Sequence, residues 1–407
     1  MWTSATESTL AALLLLHSRR TFATPLSPHF CSPSSTTDTM EYVQERVTTL
    51  HDLSGTVPDA PTDRAAVVVP MTEREYAGLA ADRVLSTLAS LSPARVVVPL
   101  RAPADRVGPF ADWLDEFDLP LDVIWCDGPR VAELLEAHGI NGERGKGRDV
   151  WLALGCAARE DYVVVHDADT KTYDERYVPR LLFPLAHGHD FSKGYYARVE
   201  DGKLYGRLFR LFYAPLVRTL GDETDVPIVR YLDSFRYALA GEFAMTADLA
   251  MKIRSPRKWG LEVGTLGDAF EHAGFDRSAQ VDLGEYEHDH RSVSGPTGLS
   301  DMSESVGRTL LRTVVENGGS VDFETLADRY REAGNRLVEQ YAADAAFNGF
   351  EYDRNNEREQ VETYAQAISA PDEDTRLPAW EDTSLSPDDV FAAARADLEE
   401  IREETNQ

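Results

Sequence analysis

The sequence predicts a mixed α/β fold with a mostly parallel, Rossmann-like sheet and a helical C-terminal extension. Two observations carry this. Short β-branched runs alternate with stretches of helical spacing up to about residue 185. From about residue 300 the chain is charged, and its apolar residues recur at helical intervals.

The elements follow in order. Residues 65–70 (AAVVVP) read as a buried strand ended by Pro70. Leu79, Leu85, Leu88 and Leu91 then share a helical face, and Arg95–Leu100 is the second strand. A helix around Phe110–Phe117 leads to a third strand, Leu121–Cys126. Val131, Leu134, Leu135 and His138 mark another helix. A Gly-rich loop, Glu143–Gly147, precedes a helix near Asp149–Arg159. The fourth strand, Tyr162–His166, runs straight into Asp167-Ala168-Asp169. Such alternation implies right-handed crossovers, with ligands outside the carboxyl ends of the strands. Farther on, Asp190–Tyr196 and Gln280–Tyr286 read as strands, and Arg207–Leu220 and Leu261–His272 as helices. Leu326, Tyr330, Leu337 and Tyr341 give the extension its apolar face. Residues 370–388 hold Pro371, Pro378, Pro387 and many acids, which predicts a surface loop. A last amphipathic helix runs through Val390–Ile401, with Ser386 as N-cap and Pro387 at its first position.

The 407 residues carry 70 acidic against 41 basic side chains, a net charge of −29. Only Lys146, Lys171, Lys193, Lys203, Lys252 and Lys258 are lysines. This excludes a protein whose whole surface binds nucleic acid, since phosphate contacts need a basic footprint, and argues against docking on anionic lipid. Such self-repulsion is screened at molar salt, where the Debye length falls to roughly 3 Å. A cytoplasmic protein of a salt-accumulating organism is therefore expected. Cys31, Cys126 and Cys156 are too few for a disulfide framework and are not spaced as a metal site, which fits a reducing compartment.

Residues 1–39 differ in composition: Glu7 and Asp38 balance Arg19 and Arg20 among many Ser and Thr. The apolar run Leu10–Leu16 is too short to span a bilayer, and its basic pair follows rather than precedes it. The expected organisation is a non-native or disordered leader over 1–39, with Met40 the natural start. A catalytic domain over 40–300 and an acidic helical region over 301–407 complete it.

Asp167-Ala168-Asp169 is the sharpest chemical feature. Residues i and i+2 at a strand end can aim two carboxylates at one place. Beside phosphates they repel unless a divalent cation intervenes, and Mg²⁺ or Mn²⁺ takes such oxygen ligands. This suits the neutralisation of a nucleoside diphosphate leaving group. Lys146, between Gly145 and Gly147, offers a compact ammonium to a phosphate. His288 and His290 flank Asp289 after a strand and can complete an oxygen-rich metal site. Glu242 and Glu262 each follow a glycine and, taken singly, read as solvated carboxylates.

In order, Val67–Glu75, Gly145–Trp151, Val163–Leu185, Ser192–Tyr196, Leu239–Ala244, Trp259–Gly264 and Gln280–Arg291 resemble one family. That family is the glucosyl-3-phosphoglycerate synthases and their mannosyl relatives, retaining glycosyltransferases. The resemblance implies a GT-A fold, a nucleoside-diphosphate-sugar donor, Mg²⁺ or Mn²⁺, and hexose transfer to 3-phosphoglycerate or a related small anionic acceptor. It implies that Pro70, Met71 and Glu73 cradle the nucleoside and that Lys146 contacts the nucleotide. Asp167 would meet the donor, Asp169 and His288 would hold the metal, and Glu262 would bind sugar hydroxyls. Arg291 would lie near the diphosphate, and Gly241 in the loop under the acceptor. Arg207 and His290 would serve the acceptor. A homodimer and a compatible-solute product are implied as well. The sequence departs from the family where Phe209 replaces a threonine, Tyr237-Ala238 replaces Gln-Pro, Arg148 replaces an acid and His290 an asparagine. A nucleotide-sugar-binding protein without turnover, or a transferase with another acceptor, stays open at this point. Lys146, Arg148, Arg207 and Arg291 are the cations expected around the anionic substrates.

Overall fold

The computed structural model describes residues 44–289 and 296–405. Its first part builds the sheet: β1 (Thr48–Leu50), β2 (Ala65–Val68), β3 (Met71–Thr72), α1 (Leu79–Leu91), β4 (Arg95–Arg101), α2 (Ala104–Leu114), β5 (Leu121–Trp125), α3 (Pro129–Ala137), α4 (Lys146–Ala157) and β6 (Tyr162–Val165). Then follow α5 (Tyr177–Ala186), β7 (Phe191–Ala197), the hairpin β8 (Val199–Glu200) and β9 (Lys203–Leu204), α6 (Ala214–Glu223) and α7 (Pro227–Leu232). β10 (Phe243–Thr246), α8 (Ala247–Ala250), α9 (Leu261–His272) and β11 (Ser278–Glu285) complete this part. The extension is α10 (Pro296–Glu316), α11 (Leu326–Asn348), α12 (Arg354–Ala365) and α13 (Pro387–Thr405). No helix among the described residues is long and apolar enough to cross a membrane.

The large sheet runs β1-β11-β7-β10-β6-β2-β4-β3, with β5 also paired to β4. Its central strands are buried on both faces, as their β-branched runs require. Alternation sorts them: Ala66, Val68, Val97, Val163 and Val165 enter one core, while Val67, Val96, Val98 and Val164 enter the other.

β10 went unread in the sequence. It pairs antiparallel with both β6 and β7, in an otherwise parallel sheet among the described strands. At four residues, entered through Gly241-Glu242, it lacks the β-branched run that marks its neighbours.

α4 starts at Lys146, three residues before the expected Asp149, so Gly145-Lys146-Gly147 is a helix N-terminus rather than a loop. The N–H groups of Gly147 and Arg148 donate to the carbonyls of Lys258 (3.1 Å) and Arg257 (3.0 Å), which satisfies first-turn donors. A Cβ on Gly147 would lie 1.7 Å from the Pro256 carbonyl oxygen, so no side chain fits there.

The extension packs into the same core as the sheet, through Leu310, Leu326, Val361 and Val390 among others. Residues 370–388 are not a simple surface loop. Leu377, Trp380 and Leu385 are buried, and Trp380 stacks on Trp151 of α4 with ring centroids 4.6 Å apart. The Trp380 indole donates to the Trp151 carbonyl at 2.6 Å, and the Trp151 indole to the Pro378 carbonyl at 2.8 Å. Pro and Asp here interrupt helix formation without making the segment solvent-facing.

Candidate active site

A cleft of about 1560 Å³ opens at the carboxyl ends of β2, β4 and β6. Pro70, Met71, Glu73, Lys146, Asp167, Asp169, Arg207 and His288 all line it. Met71 is held by parallel pairing with Leu100 of β4. Glu73 lies in the single turn Glu73–Glu75, fixed by a capping box in which the Thr72 N–H donates to Glu75 at 2.6 Å.

Asp167 and Asp169 leave the end of β6, with Ala168 buried between them. His166 anchors the turn from below. It is wholly buried, lies 3.0 Å from the Tyr173 hydroxyl, and is pushed down to about 4 by burial, so its imidazole is neutral.

Two loops distant in sequence zip together here. Thr170 bridges antiparallel to His288, the Asp289 N–H donates to the Asp169 carbonyl, and the Lys171 N–H to the Glu287 carbonyl, both at 2.8 Å. This zipper brings His288 Nε2 to 2.9 Å from Asp169 Oδ2. Burial opposes charge on His288, but the hydrogen bond and charge of Asp169 outweigh it and hold the imidazole above its ordinary value. Asp169 Oδ1 is buried and has no hydrogen-bond partner among the described residues. A buried carboxylate oxygen without a donor is costly unless a cation meets it. Oxygen plus imidazole nitrogen is a donor set that Mg²⁺ or Mn²⁺ accepts. Among the described residues no group of three or more His, Cys, Asp or Glu side chains is placed to hold a metal ion.

Lys146 stands on the other side of Asp167. Its Nζ lies 2.6 Å from Asp167 Oδ1 and 3.5 Å from Glu262 Oε1. Glu262 reaches it because segment 256–258 docks on the N-terminus of α4 and Gly260 turns the chain at φ +96° into α9. Burial penalises the ammonium, yet the carboxylates outweigh burial and raise it above its ordinary value. Burial likewise works against Asp167, and Lys146 outweighs it and keeps the carboxylate low. Both are therefore charged.

Gly241 presses on the same carboxylate: a Cβ there would lie 2.5 Å from Asp167 Oδ2. The loop is braced from beneath by Lys193, wholly buried, whose Nζ donates to the Ala240 carbonyl at 2.6 Å. Burial pushes Lys193 down to about 8.

Several residues fall elsewhere than the sequence suggested. Glu242 is not solvated. It is fully buried and accepts from the Tyr196 hydroxyl at 2.8 Å, and Tyr196 stacks on Tyr286 at 3.9 Å. Glu262 is ion-paired rather than free in solvent. Arg148 does not face the substrates; it is buried and neutralised by Asp149 (2.8 Å) and Asp127 (3.0 Å). His290 and Arg291 lie outside the described residues. Lys193 and Glu357, which lies beside Arg207, were missed. Lys193 had a signal, as one of six lysines within a strand-like run, whereas Glu357 had none.

Burial, with the charge of Asp167, lifts Glu242 to about 7. Its folded value exceeds the unfolded one, so the stability it contributes is full below about pH 4.5 and is lost as pH rises through 7. Glu242→Gln, which cannot ionise, should match the parent in acid and become the more stable of the two above pH 7. Unfolding midpoints at pH 4.5 and 8 check this; an unchanged difference between the two proteins would refute it.

No family model matches the chain. It is 34% identical over 405 residues to the glucosyl-3-phosphoglycerate synthase of Methanococcoides burtonii, covering 89% of this chain and 100% of that protein. It is 36% identical over 321 residues to the glucosyl-3-phosphoglycerate synthase of Persephonella marina, covering 74% and 79%. Among solved structures, glucosyl-3-phosphoglycerate synthase from Mycobacterium tuberculosis in complex with Mg²⁺ and uridine diphosphate aligns with a TM-score of 0.51 and 26% identity, over 66% of this chain and 86% of that one. The same enzyme with Mn²⁺, uridine-diphosphate-glucose and phosphoglyceric acid aligns with a TM-score of 0.51 and 25% identity, over 66% and 87%.

Proposed function

Because the chain belongs to the glucosyl-3-phosphoglycerate synthase family, we propose that its cleft moves glucose from a nucleoside diphosphate to the 2-hydroxyl of 3-phosphoglycerate with retention. It is a metal-dependent hexosyltransferase. The observation that carries the reading is the juxtaposition of the Asp169–His288 pair with the Lys146–Asp167 pair in one cleft, with Glu262 beside Lys146.

Asp169 and His288 would hold the divalent cation, which when bound offsets the charge that develops on the departing diphosphate. Lys146 supplies a second, permanently protonated charge to the same oxygens. Pro70, Met71 and Glu73 border the cleft where the nucleoside would lie, and Arg291 would add a cation near the diphosphate. Asp167 would meet the sugar or nucleotide of the donor, and Glu262 would bind sugar hydroxyls. Among the described carboxylates of the cluster, Asp167 is engaged by Lys146 and Glu242 is sealed behind Tyr196. A double-displacement course would need a carboxylate free beneath the anomeric carbon. The family resemblance implies front-face attack instead. The bond from the anomeric carbon to the phosphate oxygen breaks as the bond to the acceptor oxygen forms. The released phosphate oxygen takes the hydroxyl proton, while Gly241 keeps the floor of the site low. Arg207, with His290, would meet the acceptor's anionic groups.

The test mixes the protein with Mg²⁺, concentrated KCl, 3-phosphoglycerate and UDP- or GDP-linked glucose or mannose. A nucleoside diphosphate and a hexosylated phosphoglycerate are expected by mass spectrometry. No nucleotide release with any pair would overturn the reading. We read the chain further as a cytoplasmic protein of a salt-accumulating cell, supported by its charge of −29 and its scarcity of lysine, and as a homodimer, which the family resemblance implies. Light scattering across KCl concentrations reads out the dimer and its salt dependence.

A further inference from the structure

The acceptor side of the cleft is completed from the C-terminal extension. Just after β9, Gly206 and Arg207 enter a π-helical turn, Leu208–Tyr213. Phe209, at the position where the family's threonine is replaced, packs on Tyr237 with ring centroids 4.8 Å apart and offers no hydroxyl. The polar partner of this turn comes from α12 instead. Glu357, in the first turn of α12, is 4% exposed. One of its oxygens accepts from Arg207 Nε at 2.9 Å, the other from Arg210 Nη1 at 3.3 Å.

The two arginines are not equivalent. Arg210 is buried, donates to the Tyr205 (2.8 Å) and Leu204 (3.2 Å) carbonyls, and lies over the Tyr341 ring at 4.7 Å. Its donors are committed to the fold. Arg207 lines the cleft, its side chain is 37% exposed, and only its Nε is engaged by Glu357. Two guanidinium charges against one carboxylate leave one positive charge, and the geometry puts it on the terminal nitrogens of Arg207. α12 itself is fixed by Asp353, which caps it through the Asn355 (3.0 Å) and Asn356 (3.2 Å) N–H groups.

We propose that Glu357 is a positioning residue: anchored by Arg210, it holds Arg207 by Nε so that the fork of the guanidinium meets the acceptor's phosphate. The inference rests on the reading of Arg207 as an acceptor group. Without the carboxylate, two adjacent guanidinium groups repel, and the exposed one is free to swing away.

The experiment measures KM for 3-phosphoglycerate and for the donor, with kcat, in the parent, E357Q, E357D and R207A at one KCl concentration. E357Q should raise the acceptor KM by about tenfold or more and leave the donor KM within about twofold, the signature of lost acceptor binding. E357D, with the charge kept but the reach shortened, should fall between. If R207A raises the acceptor KM while E357Q does not, the positioning role is wrong and the reading of Arg207 survives. If R207A leaves the acceptor KM unchanged, the reading of Arg207 fails and the proposal falls with it. Should E357Q not fold, E357D decides: an acceptor KM equal to the parent's overturns the proposal.

Discussion

Asp169→Asn is expected to lower kcat by about three orders of magnitude, in the range seen when a group that stabilises charge in a transition state is removed. The substitution keeps shape and hydrogen-bonding capacity but removes the charge that meets the cation. In the parent, Oδ2 engages His288 and Oδ1 is buried without a partner among the described residues. An amide there can still accept from His288 through its oxygen, but it offers a cation no charged oxygen. The fold should be little affected, because the zipper beside it uses the backbone of Asp169, Thr170 and His288. The check is kcat at rising Mg²⁺ and Mn²⁺, with circular dichroism as control. A variant within tenfold of the parent at every metal concentration would show that Asp169 does not hold the metal.

Gly241→Ala is expected to cost about a hundredfold in kcat, as misplacement of about 1 Å at a reacting centre does. The mechanism is steric. The new methyl would sit 2.5 Å from Asp167 Oδ2 and 2.9 Å from its Cγ. Asp167 cannot yield freely, since Lys146 grips its other oxygen at 2.6 Å. The loop cannot yield freely either, since Lys193 grips the Ala240 carbonyl. Either the ion pair opens or the floor of the site shifts. Kinetics with both substrates, together with thermal unfolding, check it. Full activity would mean the loop is softer than its bracing implies.

What was legible in the sequence was local. Val163–Val165 followed at once by two carboxylates could be read as a strand end with chemistry attached, and Leu261–His272 as a helix to the residue. Asp169, His288 and Lys146 could each be singled out one at a time. That Asp169 and His288 meet depends on a bridge between loops after strands that are not neighbours in the sheet, and no spacing encodes it. Glu242 read as solvated because a charged residue after glycine usually is. Its burial is set by Tyr196 and Tyr286, which other strands deliver. Arg148 read as a free cation because its burial is set by packing and its second partner, Asp127, lies 21 residues away, although Asp149 is adjacent. Glu357 is 150 residues from Arg207 on a helix of ordinary polarity, so only the packed structure joins them.

The stacked indoles of Trp151 and Trp380 have a practical consequence. Their planes differ by only 20° and their centres by 4.6 Å, close enough for the excited states of the two rings to mix. Such a pair gives a dichroic couplet in the strong far-ultraviolet indole band that neither ring gives alone. One ring sits on α4, whose first residue is Lys146, and the other on the segment that ties the extension to it. The protein thus carries its own optical gauge: the couplet reports whether the C-terminal segment is seated on α4, without any added label and independently of turnover.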